Sequence, residues 1–373
     1  MKSSQIKVSE IGEKGIIERI IEKSKTCSSC GFNFDNDLFN FATSIGDDSA
    51  LTSIDIDENS YLVTSTDMLI QSSHFPKGMT YFQMGYKSVV VNVSDLASMG
   101  AENIGFLLNI AIPKDMLLDD FDDLICGVVR ACDNYNIPLI GGDTNEASEI
   151  IISGTAIGQV DKDKALMKYG FEKDDLVCIS DELGYAALGF ELLALKEKDQ
   201  NLYQEKIDKI KKIDSTIIDL ALLKALMPKA KYDEGHILRD YNISNNRVSA
   251  TDITDGLASE FYEILNSDNK YSNNTNPSNS YSKGIRIYED KLPVEDEFKE
   301  IANILGLNYL DLFLHVGEDF EFLFTINNEL KDQLSREMNY YVIGEITDNN
   351  TVEIVLSNGQ IEKISSRGYQ HLK

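Results

Sequence analysis

Apolar positions along the chain fall into short alternating runs and longer stretches of helical spacing, and the two kinds follow one another throughout. Ile16, Ile17, Ile20 and Ile21 recur at helical intervals and predict a first helix over 11–24. Residues 27–43 read as a loop. Short strands are predicted at 49–54 and 61–65, then a helix at 81–99, a strand at 104–112, a helix at 117–135, and strands at 137–140 and 150–160. The second half opens on a strand at 176–180, followed by a helix at 185–195, helical runs filling 203–226, a strand at 247–251 and a helix at 257–265. Strands at 284–288, 321–326 and 341–346 and helices at 295–305 and 328–338 complete it. This order predicts an α/β (α+β) protein with mixed sheets and packed helices. A chain of 373 residues exceeds one comfortable core, so two domains are predicted, over 1–160 and 161–373. Residues 267–283, with repeated Asn and Ser, cannot build a core and read as a mobile polar surface loop.

Charge narrows the partners. The chain has 62 Asp and Glu against 35 Lys and Arg, a net charge of −27, which repels nucleic acid and anionic membranes alike. No apolar run approaches the roughly eighteen residues of a membrane span, and the N-terminus lacks the apolar core of a signal peptide. A cytoplasmic protein is therefore expected, with neither nucleic acid nor membrane as partner. The five cysteines, Cys27, Cys30, Cys126, Cys132 and Cys178, read as reduced thiols. Cys27-Ser-Ser-Cys30 is a lone C-x-x-C without a second pair, a weak signal for zinc.

Candidate chemistry lies in Gly46-Asp47-Asp48, Ser65-Thr66-Asp67, Asn92-Val93-Ser94-Asp95 and Gly141-Gly142-Asp143-Thr144, with a fifth acidic segment at Asp252-Ile253-Thr254-Asp255-Gly256. Each adjoins a predicted strand or helix, so the carboxylates are expected in loops at element ends, where they could converge. Asn92 and Asp95, three apart, share one face of the helix predicted at 81–99. Oxygen ligands without clustered His or Cys suit a hard cation, and Mg²⁺ held by few carboxylates shares its coordination with substrate phosphates. Such ions would also neutralise the meeting point of an acidic protein with a polyphosphate. Taken singly, Asp143 also reads as a turn residue, and Asp252 or Asp255 as a helix N-cap. There is no Gly-Lys dipeptide and no pair of glycines one residue apart, which excludes a Walker A loop and a G-x-G-x-x-G turn. The histidines, at 74, 236, 315 and 371, are too scattered for a metal cage.

Together, and in this order, Gly46-Asp47-Asp48-Ser49-Ala50, Ser65-Thr66-Asp67 with His74-Phe75, the run Val91 through Ala101, and Gly141-Gly142-Asp143-Thr144 resemble the thiamine-monophosphate kinase family. Thr251-Asp252-Ile253-Thr254-Asp255-Gly256-Leu257, Gly317-Glu318-Asp319-Phe320-Glu321 and Gly368-Tyr369-Gln370-His371 extend the resemblance over nearly the whole chain. It implies a two-domain fold like that of aminoimidazole ribonucleotide synthetase. Residues 1–160 would be a Mg-ATP-binding domain that dimerises through its sheet, and 161–373 a domain closing over the cleft to complete the active site. It further implies an ATP-dependent kinase that converts thiamine monophosphate to thiamine diphosphate with several Mg²⁺ ions, acting as a homodimer. Carried over by residue, Asp48, Ser65, Thr66, Asp67, Asp95, Asp143, Asp252 and Asp255 are the implied metal ligands, with Asp67, Asp95 and Asp143 at the catalytic centre. Gly142, Asp143, Lys168 and Thr254 would meet ATP, and His74, Glu318 and Tyr369 the thiamine substrate.

The chemistry is consistent with that implication. The acceptor is a phosphate with a second pKa near about 6, ionised at neutral pH and in no need of a general base. Metal ions would screen and align the two anions for in-line transfer. The chain departs from the family in three places. Lys168 stands where an arginine is usual, which keeps the charge but loses bidentate contact. Val316 precedes Gly317 where a second glycine is usual, and 267–283 is extra. Two competing readings stay open: another ATP-dependent synthetase of the same superfamily, or a regulator that binds Mg-ATP without turnover. The selenophosphate branch wants a reactive cysteine near the N-terminus and the hydrogenase-maturation branch one at the C-terminus, where this chain has His371-Leu372-Lys373.

Overall fold

The computed structural model describes residues 6–25, 39–43, 51–54, 59–243, 246–275 and 283–368. They fall into two compact units, the first of residues 1–96 and 101–162, the second of 97–100 and 163–373. The first unit runs α1 (Val8–Ser24), β1 (Phe39–Thr43), β2 (Leu51–Ile54), β3 (Ser60–Ile70), α2 (Gln71–His74), α3 (Tyr81–Ser98), β4 (Glu102–Ile112), α4 (Leu118–Asn134), β5 (Leu139–Glu146) and β6 (Ile151–Asp161). Among the described residues β3, β6, β4 and β5 form a four-stranded sheet in that order, and β1 pairs with β2 alone. β3 lies antiparallel to β6 along its whole length, from Ser60 opposite Asp161 to Ile70 opposite Ile151. β4 is antiparallel to β6 and parallel to β5. Alternation decides the faces: Ile152, Ala156 and Val160 of β6 are buried, and Gly154 and Gly158 on the same side stand against Asn92 and Leu96 of α3. On β3, Leu62 and Met68 remain 50% and 58% exposed.

The second unit continues β7 (Leu176–Ile179), α5 (Tyr185–Lys198), α6 (Gln200–Ile210), α7 (Thr216–Leu226), α8 (Tyr232–Tyr241), β8 (Val248–Asp252), α9 (Leu257–Thr275) and β9 (Gly284–Tyr288). It ends with α10 (Asp296–Leu305), α11 (Tyr309–His315), β10 (Phe322–Ile326), α12 (Lys331–Leu334), β11 (Tyr341–Thr347), β12 (Val352–Val355) and β13 (Ile361–Lys363). The sheet order is β13-β12-β9-β11-β7-β10-β8, antiparallel except where β12 meets β9. Its middle is buried on both faces. Along β10, Leu323 joins a core with Leu257, Phe261 and Phe313, whereas Phe322, Phe324 and Ile326 join another with Leu238, Leu330 and Leu334. A third core ties α5, α6, α7 and α10 together through Leu188, Ile207, Ala221 and Phe298.

Several expectations need correction. Residues 39–43 form a strand rather than loop, because β2 pairs with them. β3 reaches Ile70, not 65, so Ser65-Thr66-Asp67 lies inside a strand, and β5 likewise runs through Gly141-Gly142-Asp143-Thr144. Only the segment after Asp252 is a true strand-end turn among the described acidic motifs. The helical stretch 203–226 breaks between α6 and α7, and the stretch at 328–338 contracts to a 3-10 turn and α12. Residues 267–275, read as part of a mobile loop, continue α9.

Candidate active site

In the first unit β3 carries Ser65, Thr66 and Asp67, and α3 carries Asp95. Ser65 and Asp67 sit on alternate positions of β3, both half-buried, with Thr66 exposed between them. The Ser65 hydroxyl donates to Asp95 Oδ2 on α3. One helical turn earlier Asn92, buried, accepts the Asp67 backbone N–H on its Oδ1 at 3.1 Å, while its Nδ2 donates to the Ser88 carbonyl at 3.0 Å. Spacing of three on a helix thus locks two consecutive odd positions of a strand. The Thr66 hydroxyl donates instead to the Gly154 carbonyl at 2.8 Å and accepts from Thr155 at 3.0 Å.

Register joins the other strands to this pair. Asp67 is opposite Gly154, Gly154 is opposite Leu108, and Leu108 is beside Gly142, so Asp67 and Gly142 occupy one row across the sheet. Gly142 has φ 152°, and a Cβ there would stand 1.8 Å from the Leu108 carbonyl oxygen, so only glycine fits. Asp143, one step along, is exposed. A cavity of about 380 Å³ opens immediately beyond it, with Thr144 and Glu146 on one side and Gly12 and Ile16 of α1 on the other.

His74 ends α2. Its Nδ1 accepts the Ile70 backbone N–H at 2.9 Å, and its carbonyl accepts from Lys87 Nζ at 2.9 Å. Lys87 is wholly buried on α3, with its ammonium 5.9 Å from the Phe75 ring centroid. Sequence reasoning passed over Lys87; the available signal was a cation in the otherwise uncharged helical run from Tyr81 to Ser94.

In the second unit Asp252 is buried at the end of β8, Thr254 is half-buried and Asp255 exposed. Glu260, in the first turn of α9, is buried behind them. Burial pushes its carboxyl up, Lys168 pulls it down, and Asp252 and Asp255 raise it further, to about 8. The turn 317–321 is laced to this segment through the backbone. Glu318 N–H donates to the Thr254 carbonyl at 2.8 Å, Phe320 N–H to Ile253 at 3.1 Å, and Ile253 N–H to Glu321 at 2.7 Å. The approach is so close that a Cβ on Gly317 would stand 1.9 Å from the Thr254 oxygen. Glu318 and Phe320 hold positive φ, 68° and 53°, in a non-glycine turn that its surroundings must enforce.

Two anchors enforce it. Asp319, buried, accepts the Gly184 N–H at 3.2 Å where α5 begins. Burial first and the Glu321 charge second push its carboxyl up to about 8, against the Gly184 and Ala186 N–H groups. Glu321, with a side chain 1% exposed, is held by Lys224 and Lys231, each at 2.9 Å, and by the Ser180 hydroxyl at 2.7 Å. Burial pulls the Lys231 ammonium down, but Glu321, Asp181 and Glu234 outweigh it and push it up. Asp319 and Glu321 stood inside a recognised motif without an assigned role.

Asp48 and Tyr369, like Cys27 and Cys30, lie outside the described residues. Among the described residues no three His, Cys, Asp or Glu side chains gather to hold a metal ion. Within the first unit, Ser65 with Asp95 is a clear pair of hard oxygen groups. Their hard oxygen chemistry suits Mg²⁺, an ion that takes few protein carboxylates and completes its shell with phosphate and water.

Residues 46–160 match the family described as AIR synthase related protein, N-terminal domain. Over 329 residues the chain is 31% identical to the thiamine-monophosphate kinase of Pyrococcus abyssi (strain GE5 / Orsay), covering 88% of this chain and 91% of that protein. The chain belongs to the thiamine-monophosphate kinase family. By that membership it is a kinase, and its fold is the two-domain α/β fold of that family. The crystal structure of thiamine-monophosphate kinase from Stenotrophomonas maltophilia K279a matches with a TM-score of 0.69 at 26% identity, covering 92% of this chain and 96% of that one. The structure of AaThiL complexed with AMPPCP and TMP shares the fold at a TM-score of 0.68 and 23% identity, covering 98% of this chain and 99% of that one. No helix among the described residues of this family member is long and apolar enough to cross a membrane.

Proposed function

We propose that the chain transfers the γ-phosphoryl group of ATP directly to the phosphate of thiamine monophosphate, in line, giving thiamine diphosphate and ADP. The observation that carries this reading is the hydrogen bond from Glu318 N–H to the Thr254 carbonyl at 2.8 Å. It ties the turn assigned to the thiamine substrate to the residue assigned to ATP, as direct transfer between two bound anions requires.

In this reading Asp48, Ser65, Thr66, Asp67, Asp95, Asp143, Asp252 and Asp255 are the ligands of Mg²⁺ ions. The ions, when bound, neutralise the phosphates and favour in-line displacement. Gly142, Asp143, Lys168 and Thr254 meet ATP; His74, Glu318 and Tyr369 meet the thiamine substrate. The Gly142 backbone approaches a phosphate without a side chain in the way. His74 Nδ1 is taken up by the Ile70 backbone, 2.9 Å from its nitrogen and 3.3 Å from its carbonyl oxygen, so Nε2 is the ring atom turned to the thiamine substrate in this reading. The protein works in the cytoplasm as a homodimer, a state for which the exposed Leu62 and Met68 on β3 supply apolar surface.

The test is to incubate purified protein with ATP, Mg²⁺ and thiamine monophosphate and to separate the products. Thiamine diphosphate and ADP in equal amounts are expected. ADP without thiamine diphosphate, or no turnover, overturns the reading.

A further inference from the structure

Lys168 stands where the family usually carries an arginine, and every residue of the strap that follows it is held by the helix or insertion beyond Asp255. The charge of Lys168 acts on Glu260 of α9. Tyr169 stacks on Tyr271, ring centroids 4.2 Å apart and planes 17° from parallel. Gly170 N–H donates to Asp268 Oδ1 at 3.0 Å. The Phe171 carbonyl accepts from Lys283 Nζ, which also lies 4.9 Å from the Phe171 ring centroid. Asp268, only 2% exposed, closes the arrangement by pairing with Lys283 at 2.7 Å.

Glu260, Asp268 and Tyr271 are eight and three residues apart, which puts them on one face of α9. That helix begins just after Asp252 and Asp255 and runs on through the polar residues 267–275. Asp268, Tyr271 and Lys283 therefore do more than decorate the surface. They are the groups that touch 169–171.

We propose that Asp268, Tyr271 and Lys283 are positioning residues that fix the strap so that the single ammonium of Lys168 reaches the ATP phosphates. A lysine lacks the planar fork that orients an arginine on phosphate, and its four-carbon stem keeps more freedom, so its backbone has to be set more firmly. The inference rests on the kinase reading only in taking ATP as the partner of Lys168.

The test measures affinity for Mg-AMPPCP, which needs no turnover, beside steady-state KM for each substrate. Tyr271→Ala removes an exposed ring and Asp268→Asn keeps side-chain volume, so at least one folded variant is secured; thermal melting checks both. Each should weaken Mg-AMPPCP about tenfold, the worth of one charge-assisted phosphate contact, raise the KM for ATP and leave that for thiamine monophosphate in place. Tyr271→Phe should restore wild-type affinity. In a Lys168→Met background neither change should weaken binding further, because the contact they serve is gone. Wild-type affinity in both single variants, or losses that add fully to Lys168→Met, overturns the proposal. If the wild type binds the analogue but does not phosphorylate thiamine monophosphate, the kinase reading fails while the affinity comparison still decides this one.

Discussion

The Lys87 ammonium, wholly buried on α3, donates to the carbonyl of His74 at 2.9 Å. The same helix presents Asn92 to Asp67 and Asp95 to Ser65, so one rigid element sets β3 and the turn at its end. Lys87→Met keeps the stem and removes the donor, leaving a carbonyl short of its partner. Stability should fall by about 1–3 kcal/mol and the KM for thiamine monophosphate should rise several-fold. Kinetics with each substrate varied in turn checks this; an equal rise for ATP contradicts the assignment.

Asp67→Asn keeps the side-chain volume and the backbone N–H that Asn92 holds, so the fold should stay intact. Loss of a metal-binding charge is worth several kcal/mol in the transition state, so turnover should drop about a thousandfold. Melting curves and circular dichroism establish folding, and a rate within a few-fold of wild type refutes the metal role.

Gly317→Ala would put a methyl 1.9 Å from the Thr254 oxygen and force the two segments apart. Both substrates should suffer, with kcat/KM down about tenfold or more for each and stability lowered by roughly 2 kcal/mol. An effect on one substrate alone would show that the Glu318 to Thr254 hydrogen bond does not couple the sites.

Long amphipathic elements were legible because their periodicity is read from burial itself. α4 keeps Phe121, Leu124, Ile125 and Val128 on the core, and the predicted span differs from the observed one by a residue at each end. β3 was cut short because Ser65-Thr66-Asp67 offers no apolar alternation, although its ladder with β6 runs unbroken to Ile70. α8 and α11 went unread: one is short and polar, and the other is a seven-residue apolar run that a strand would match equally well. At the site, the motifs carry the candidate residues themselves but no trace of Lys87 or Glu321 securing them. Such contacts depend on residues 13 to 141 positions away and leave no local spacing to detect.

Asp319 gives a pH signature. Its carboxyl is raised from 3.8 to about 8, so the folded state keeps a proton that the unfolded chain releases, and the stability this confers is lost as pH rises through that window. Asparagine is neutral throughout and can still accept the Gly184 N–H. Asp319→Asn should therefore gain stability relative to wild type between about pH 5 and 8, by urea denaturation at several pH values. A difference that stays constant with pH rules out the raised carboxyl.

The ion cage around Glu321 also bears on heat. Hydration of charged groups becomes less favourable as temperature climbs, so the penalty for stripping water from Glu321, Lys224 and Lys231 shrinks while their attraction persists. Warming thus tightens the anchor beside the strained Glu318 turn even as apolar packing elsewhere stops gaining strength.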